Sequence, residues 1–559
     1  YRTYNALFQR LLNQHTRFER LKLSGPFAKM DFLLKAHHAQ PALRARLNET
    51  RTRLKASGDG QLTETELAHH RERDLCHLCL FVGLLFEQEV PADLAARFPT
   101  EQLPEPQGLP TADRIRLIVS RWDAHYLYGQ PEQDPALEIC VCYQSEASTV
   151  TPAYDRSYLN AFLREGMQLN LVRPRLQDEV FYPELIIVEP DYLVDISAIA
   201  SCMESYAHSP LLHLLHKLQP AANSEAILLG NFAGQLLDEE LHTDSDTTSY
   251  TQSVKRFFQG NALNLLAAEL TPSFHEQSLR QRAHIHQAIR HVLPHQVQPF
   301  DLRETIVEPT FFSELLGLQG RMDLVQLDQR VLVEQKAGKG GFPQRDPETP
   351  IHQEKHYVQM LLYMALLRYN YRANYLANNQ ELNAFLLYSR YENSLLGLGF
   401  APALLFEAMK LRNGIAANEL AYARGELRGI LEPLTADGLN ERGATGKLWE
   451  QYQRPQLEAL LHPIHVATPL ARAYYFRFLT FIELEQLLAK IGNAAKEGSG
   501  FAAKWQASAE EKMQTGDMYA EMTPILPTTE GPIETISLRY PAHEAQELSN
   551  FRPGDIVIL

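Results

Sequence analysis

No stretch of this chain constrains its fold more than residues 317–339, GLQGRMDLVQLDQRVLVEQKAGK. Two β-prone runs flank Asp328 and Gln329, which make a short polar turn, so antiparallel pairing about that turn sets Asp323 directly opposite Glu334. Side chains alternate faces along a strand, which puts Glu334 and Lys336 on one face and Val333 and Gln335 on the other. Three charged groups therefore converge. Two carboxylates suit a hard, oxygen-seeking cation such as Mg²⁺, and an ammonium beside them can steady an attacking water or the charge that builds on a phosphate.

Charged side chains on one hairpin face also fit a merely solvated surface, and spacing alone leaves both readings open. The flanks favour a site. Gly317 and Gly320 before the first strand, and Gly338, Gly340 and Gly341 after the second, let the backbone bend or let a bulky polymer approach. Downstream, KHYVQMLLYMALL predicts a helix that carries Gln359 and Tyr363 on one face at i and i+4, where ordinary packing with a polar rim is their alternative role.

At 559 residues the chain is too long for one core and predicts three or four domains. Hydrophobic content of 45% and charged content of 22% are those of a soluble globular protein. No segment is apolar for long enough to cross a bilayer, and the amphipathic start YRTYNALFQRLLNQ lacks the apolar block of a signal peptide, so a cytoplasmic location without membrane attachment is expected. Cys76, Cys79, Cys140, Cys142 and Cys202 are too sparse for a disulfide framework. A net charge of −15 argues against a chain coated in basic patches. Locally the balance reverses. Between Arg321 and Arg345 five basic residues (Arg321, Arg330, Lys336, Lys339, Arg345) face three acidic ones (Asp323, Asp328, Glu334), which predicts a basic groove with salt-sensitive nucleic-acid binding.

Along the chain, residues 1 to about 130 read as mainly helical with a Pro-rich break at Pro104 to Pro110, and LEICVCYQ and ELIIVEPDYLVDIS read as strands. Helices follow to Leu241, TDSDTTS makes a polar loop, and a helix over Glu276 to Leu293 precedes the strand ETIVEP and the hairpin. After the Gln359 helix come the strand FLLYSRY and a run of helices to about Met513; PIETISLRY and RPGDIVIL are strands around a turn at the end. The expected organisation is a mainly helical extension of unknown role over 1–180, a core over 181–415, a helical domain over 416–525 and a truncated β-barrel over 526–559.

The Asp, the Glu-x-Lys eleven residues later and the helix with Gln-x-x-x-Tyr resemble the RecB-like branch of the PD-(D/E)XK nucleases. Further pieces are similar, in order, to the bacterial DNA replication ATP-dependent helicase/nuclease of the Dna-two type: AILLGNFAGQLLDEEL, EPTFFSELLGLQGRMD, VEQKAGK, HYVQMLLYMALL, KLRN at 410–413 and SNFRPGDIVIL. The resemblance covers about residues 190–559 and is most specific over 304–370. It implies an α/β nuclease core, restriction-endonuclease-like, with a mixed sheet flanked by helices, inside a mainly helical multidomain chain with the start of a small β-barrel at its C-terminus. It also implies a deoxyribonuclease that uses Mg²⁺ or Mn²⁺, cleaves single-stranded ends or flaps, and is joined to a helicase C-terminal to this chain. Asp323 and Glu334 would hold the metal, with the Gln335 carbonyl and Glu308 completing it. Lys336, Gln359 and Tyr363 would complete the catalytic set, and Arg321, Lys339 and Arg345 would bind DNA. Replication, repair and phage defence all remain open as its setting. The rival reading is a catalytically weak or inactive nuclease-like module that binds DNA or scaffolds a helicase.

Two departures from that family matter. Gly234 stands where the first helix carries a metal-binding His, with Gln235 in place of the acid beside it; His284 and His286 are the alternative imidazoles. No cysteine follows Cys202, so the family's four-thiolate iron-sulfur cluster is expected to be absent. A zinc site from Cys76-x-x-Cys79 and Cys140-x-Cys142 would need a spacer of more than sixty residues, and buried free thiols fit better. ERGATGKLW lacks the first Gly and the terminal Ser or Thr of a phosphate loop, so no ATP site is expected in this chain.

Overall fold

The computed structural model describes residues 1–20, 22–99, 113–143, 155–220, 223–242, 249–342, 346–370, 382–494, 499–525, 536–539 and 549–551. They form two compact units, neither continuous in sequence: 1–144 with 163–186 and 480–559, and 145–162 with 187–479.

The first unit opens with four helices, Arg2–Thr16, Gly25–Ala36, Pro41–Gly58 and Glu64–Phe86. Thr63 and Glu66 start the last of these with a reciprocal capping box, which satisfies two otherwise orphaned amides. Phe8, Leu12, Met30, Leu47, Leu78 and Phe81 meet as one apolar core. Residues 114–131, expected to be helical, instead form the strands Arg114–Trp122 and Tyr126–Pro131. The run RIRLIVSRW is rich in β-branched residues, and its neighbours Tyr126–Pro131 and Gln168–Val172 pair with it on both edges. The unit also takes in late segments of the chain: the Ser508 cap of Ala509–Thr515 leads a helix whose Glu511 accepts from Asn5 at 3.1 Å.

The second unit is built on a five-stranded mixed sheet in the order Thr305–Val307, Leu324–Gln326, Val331–Lys336, Asn383–Tyr388, Leu395–Leu398. Val331–Lys336 is central. It runs antiparallel to Leu324–Gln326 and parallel to Asn383–Tyr388. A parallel neighbour demands a crossover, and the helix Glu354–Asn370 lies on that connection. Eleven of its residues are buried, and EKHYVQMLLYMALLRYN is apolar nearly all round with no Gly or Pro, the pattern of a helix enclosed by other elements. On the opposite face Val331, Val333, Phe385 and Leu387 pack with Leu228, Phe232, Ile285 and Ile289 of Glu225–His242 and the helical run after Ser273. Helices thus cover both faces.

The residues before Asp323 depart from the expected single hairpin. Thr310–Ser313 and Leu318–Arg321 form their own antiparallel pair, extended in parallel by Val194–Asp195. Leu395–Leu398, expected within the helical run, is an edge strand; at four residues it is too short to show an alternating pattern. At the C-terminus Thr523–Ile525 pairs with Ser537–Arg539. No barrel closes among the described residues, and most of 526–559 lies outside them, as do the Pro104 to Pro110 break and most of TDSDTTS.

Arg412, on the helix Pro402–Ala423, is fully buried and donates to the carbonyls of Gly317 (3.1 Å), Glu189 (3.0 Å), Tyr192 (2.7 Å) and Val188. Gly317 has φ +62°, and a Cβ there would stand 2.0 Å from the Arg412 guanidinium. Only glycine fits this crossing, which fixes where the strand leading to Asp323 begins.

Candidate active site

The register Leu324↔Val333 carries Asp323 across from Glu334 where the two strands begin to part. The turn that sets this register has Gln329 at φ +61°, with Gln329 N donating to Gln326 O at 2.7 Å and Asp328 accepting from Arg330 N at 3.0 Å. Gln335 N donates to Asp323 Oδ2 at 2.6 Å and orients that carboxylate. On the same face as Glu334, Lys336 Nζ lies 2.8 Å from Glu334 Oε1. The Gln335 side chain points the other way, to the Ala233 carbonyl at 3.1 Å.

The crossover helix completes the cluster. Gln359 accepts from Lys336 Nζ at 2.9 Å and donates to Glu334 Oε1 at 2.6 Å, so one amide fixes both ions. Tyr363, one turn on, lies 3.3 Å from Gln359 Nε2 and donates to the Arg321 carbonyl at 2.7 Å. That bond ties the helix to the backbone two residues before Asp323. The structure therefore brings together Asp323, Glu334, Lys336, Gln359 and Tyr363.

The electrostatics are strained. Burial raises the Glu334 carboxyl pKa and Asp323 raises it further, against the pull of Lys336. Burial likewise raises Asp323, although Lys336 and the Gln335 N–H oppose it. A buried carboxylate, Glu334, and a partly buried one, Asp323, share one ammonium, a charge deficit that a divalent cation would relieve. Glu334 Oε2 is buried and, among the described residues, has no hydrogen-bond partner, a costly state for a carboxylate oxygen unless a further ligand takes its lone pairs. These residues fit a divalent cation. Among the described residues no three His, Cys, Asp or Glu side chains gather in metal-holding geometry.

The other expected residues lie around this core. Glu308, at φ +51°, donates its N–H to the Asp323 carbonyl at 3.0 Å, and its exposed side chain pairs with Arg321 at 3.1 Å. Lys339 is exposed and, among the described residues, makes no ion pair. Arg345 lies outside the described residues. A Cβ at Gly234 would meet no atom within 4 Å, so the helix has open space where the resembled family carries its His. The two alternative imidazoles are engaged elsewhere: His284 Nδ1 lies 2.9 Å from the Ser389 carbonyl and His286 Nδ1 lies 3.1 Å from Glu240.

Sequence reasoning missed His356, Tyr388 and Gln353. Tyr388 pairs in register with Lys336, and its hydroxyl sits 2.7 Å from His356 Nδ1 and accepts from Gln353 N at 3.1 Å. Burial, with Lys336 and Lys355 nearby, pulls His356 down to about 3, so this imidazole is neutral at physiological pH. The signal was available in part, since His356 lies one turn before Gln359 on the same helix.

Residues 195–462 match the family model described as the PD-(D/E)XK nuclease superfamily. That segment is a PD-(D/E)XK nuclease superfamily domain. Members of this superfamily are usually nucleases that hydrolyse phosphodiesters with divalent metals such as Mg²⁺. The match spans both the central hairpin of the PD-(D/E)XK domain and the Arg412 helix. No curated protein matches the chain. No helix among the described residues is long and apolar enough to cross a membrane.

Proposed function

We propose that this chain is a metal-dependent DNA nuclease that cleaves single-stranded ends or flaps and works in the cytoplasm, joined to an ATP-driven helicase. One observation carries the reading: the partnerless, buried Glu334 Oε2 beside Asp323. Asp323 and Glu334 hold the cation, with the Gln335 carbonyl and Glu308 as further oxygen donors. The bound ion supplies Lewis-acid polarisation of the phosphate and a more acidic water. Lys336 orients the attacking water or balances charge on the pentavalent phosphorus, Gln359 keeps Lys336 and Glu334 aligned, and Tyr363 holds the approach strand through Arg321. Arg321, Lys339 and Arg345 take the DNA backbone. Substrate choice comes from threading a single strand, with weak sequence preference.

Cleavage of labelled single-stranded and flap DNA with Mg²⁺ or Mn²⁺ tests this. Wild type should cut, and Asp323→Ala and Lys336→Ala should not. Equal product from all three with either ion sinks the proposal. Gly234 favours the second reading, a weak or inactive module that binds DNA or scaffolds a helicase; DNA binding without cleavage by wild type is its signature.

A further inference from the structure

Six residues beyond the Glu-x-Lys, the chain carries Phe342 at 94% exposure. A benzyl side chain held fully in water forgoes the stabilisation of burial, so such a residue gains when a ligand covers it. The loop that leads to it is firmly built. Gln353 Nε2 donates to the Lys339 carbonyl at 2.8 Å and lies 3.4 Å from the Gly340 carbonyl, Gly340 N donates to Tyr391 Oη at 3.0 Å, and Gly341 N donates to the Ile351 carbonyl. A Cβ at Gly340 would stand 2.6 Å from Ile351 O, and one at Gly341 2.7 Å from His352 O. The glycines are thus laid flat on backbone that leads into the Gln359 helix.

That attachment also gives the distance to the chemistry. Gln353 precedes Gln359 by six residues, about 9 Å along a helix axis. Gln359 itself touches Lys336 and Glu334. Phe342 is two residues past Gly340, within reach of a strand whose scissile phosphate sits at the carboxylates. Lys339, three residues before the ring, is exposed and makes no ion pair among the described residues. A free ammonium and a free aromatic face on one pinned loop match the two demands of a single strand, a phosphate and an unpaired base. A duplex offers the phosphate but keeps its base faces stacked.

We propose that Lys339 and Phe342 form a single-strand grip beside the active site, Lys339 taking a backbone phosphate and Phe342 stacking on a base, so that this loop selects unpaired DNA. The grip rests on the nuclease reading of the neighbouring cluster. Fluorescence anisotropy in chelator, with an oligothymidine and a blunt duplex of equal length, tests it without cleavage. Phe342→Ala should weaken single-strand binding by about 5- to 100-fold and leave duplex affinity as in wild type. Lys339→Ala should lower the slope of log affinity against log salt by about 0.7 for the single strand. In Phe342→Trp, indole emission above that of the three native tryptophans should change on adding oligothymidine and stay constant with a fully abasic strand. Single-strand affinity equal to wild type in Phe342→Ala, or no emission change in Phe342→Trp, overturns the grip. If wild type cuts single strands while Phe342→Ala binds them normally, the grip alone fails. An emission change in Phe342→Trp from a protein that never cuts leaves the grip standing and sinks the nuclease reading.

Discussion

Two buried carboxylates, one in each compact unit, sit in opposite states. Asp74 in the first unit has every need met: Arg53 at 2.7 to 3.2 Å, Thr50 at 2.7 Å and Tyr1 Oη at 2.6 Å. Burial works to raise its carboxyl pKa, yet the hydrogen bonds of Arg53, Tyr1 and Thr50 hold it below the usual range. Glu334 in the second unit faces a second carboxylate, keeps one oxygen without a partner, and is raised. The same residue chemistry thus serves stability in one place and is left under tension in the other. A satisfied cluster closes a core, whereas an unsatisfied one waits for a ligand.

The comparison breaks most readily at Arg53. Arg53→Ala leaves Asp74 buried without its cation and should cost about 3–5 kcal/mol in chemical denaturation, with DNA cleavage unaffected. An equally stable variant would show that the first cluster is not structural. Glu334→Gln should do the reverse, lowering cleavage by about 10²- to 10³-fold while the unfolding midpoint holds or rises, because one of two neighbouring like charges is gone. A large loss of stability there would place both clusters in the same class. Acid sharpens the contrast more gently. The folded Asp74 carboxyl is depressed, so its stabilisation is complete above the unfolded value of about 3.9 and disappears as pH falls from there through the folded value. Asp74→Asn should therefore flatten the wild-type loss of stability in that window, measured by thermal unfolding between pH 5 and pH 2. The smallest effect is expected at Gly234. Gly234→His places an imidazole in open space on the helix beside the hairpin, and cleavage should rise by about tenfold. No rise would mean that another ligand already serves there.

The hairpin was legible because period-two alternation and a polar turn fix register, and register alone sets Asp323 against Glu334. Gln359 and Tyr363 followed from helical spacing. Arg412 was not legible as a clamp, since its carbonyl partners are backbone groups about 95 to 224 residues away, and backbone acceptors leave no mark in side-chain patterns. The strands over 114–131 were hidden by the helical segments before them. Discontinuity hid more: the first unit takes back residues 480 onward, and no local pattern announces a return over several hundred positions. Phe342 was visible as a letter, but its exposure depends on how Gly340 and Gly341 lie against Ile351 and His352.

Titration of Mn²⁺ into the protein, followed by electron paramagnetic resonance of the free ion, tests the central claim most directly. Wild type should remove Mn²⁺ from solution in the absence of DNA. Asp323→Ala and Glu334→Gln should lose that binding, while Arg53→Ala should keep it. Binding that survives in both site variants, or that is absent from wild type, would contradict the assignment of Asp323 and Glu334 as the metal-holding pair.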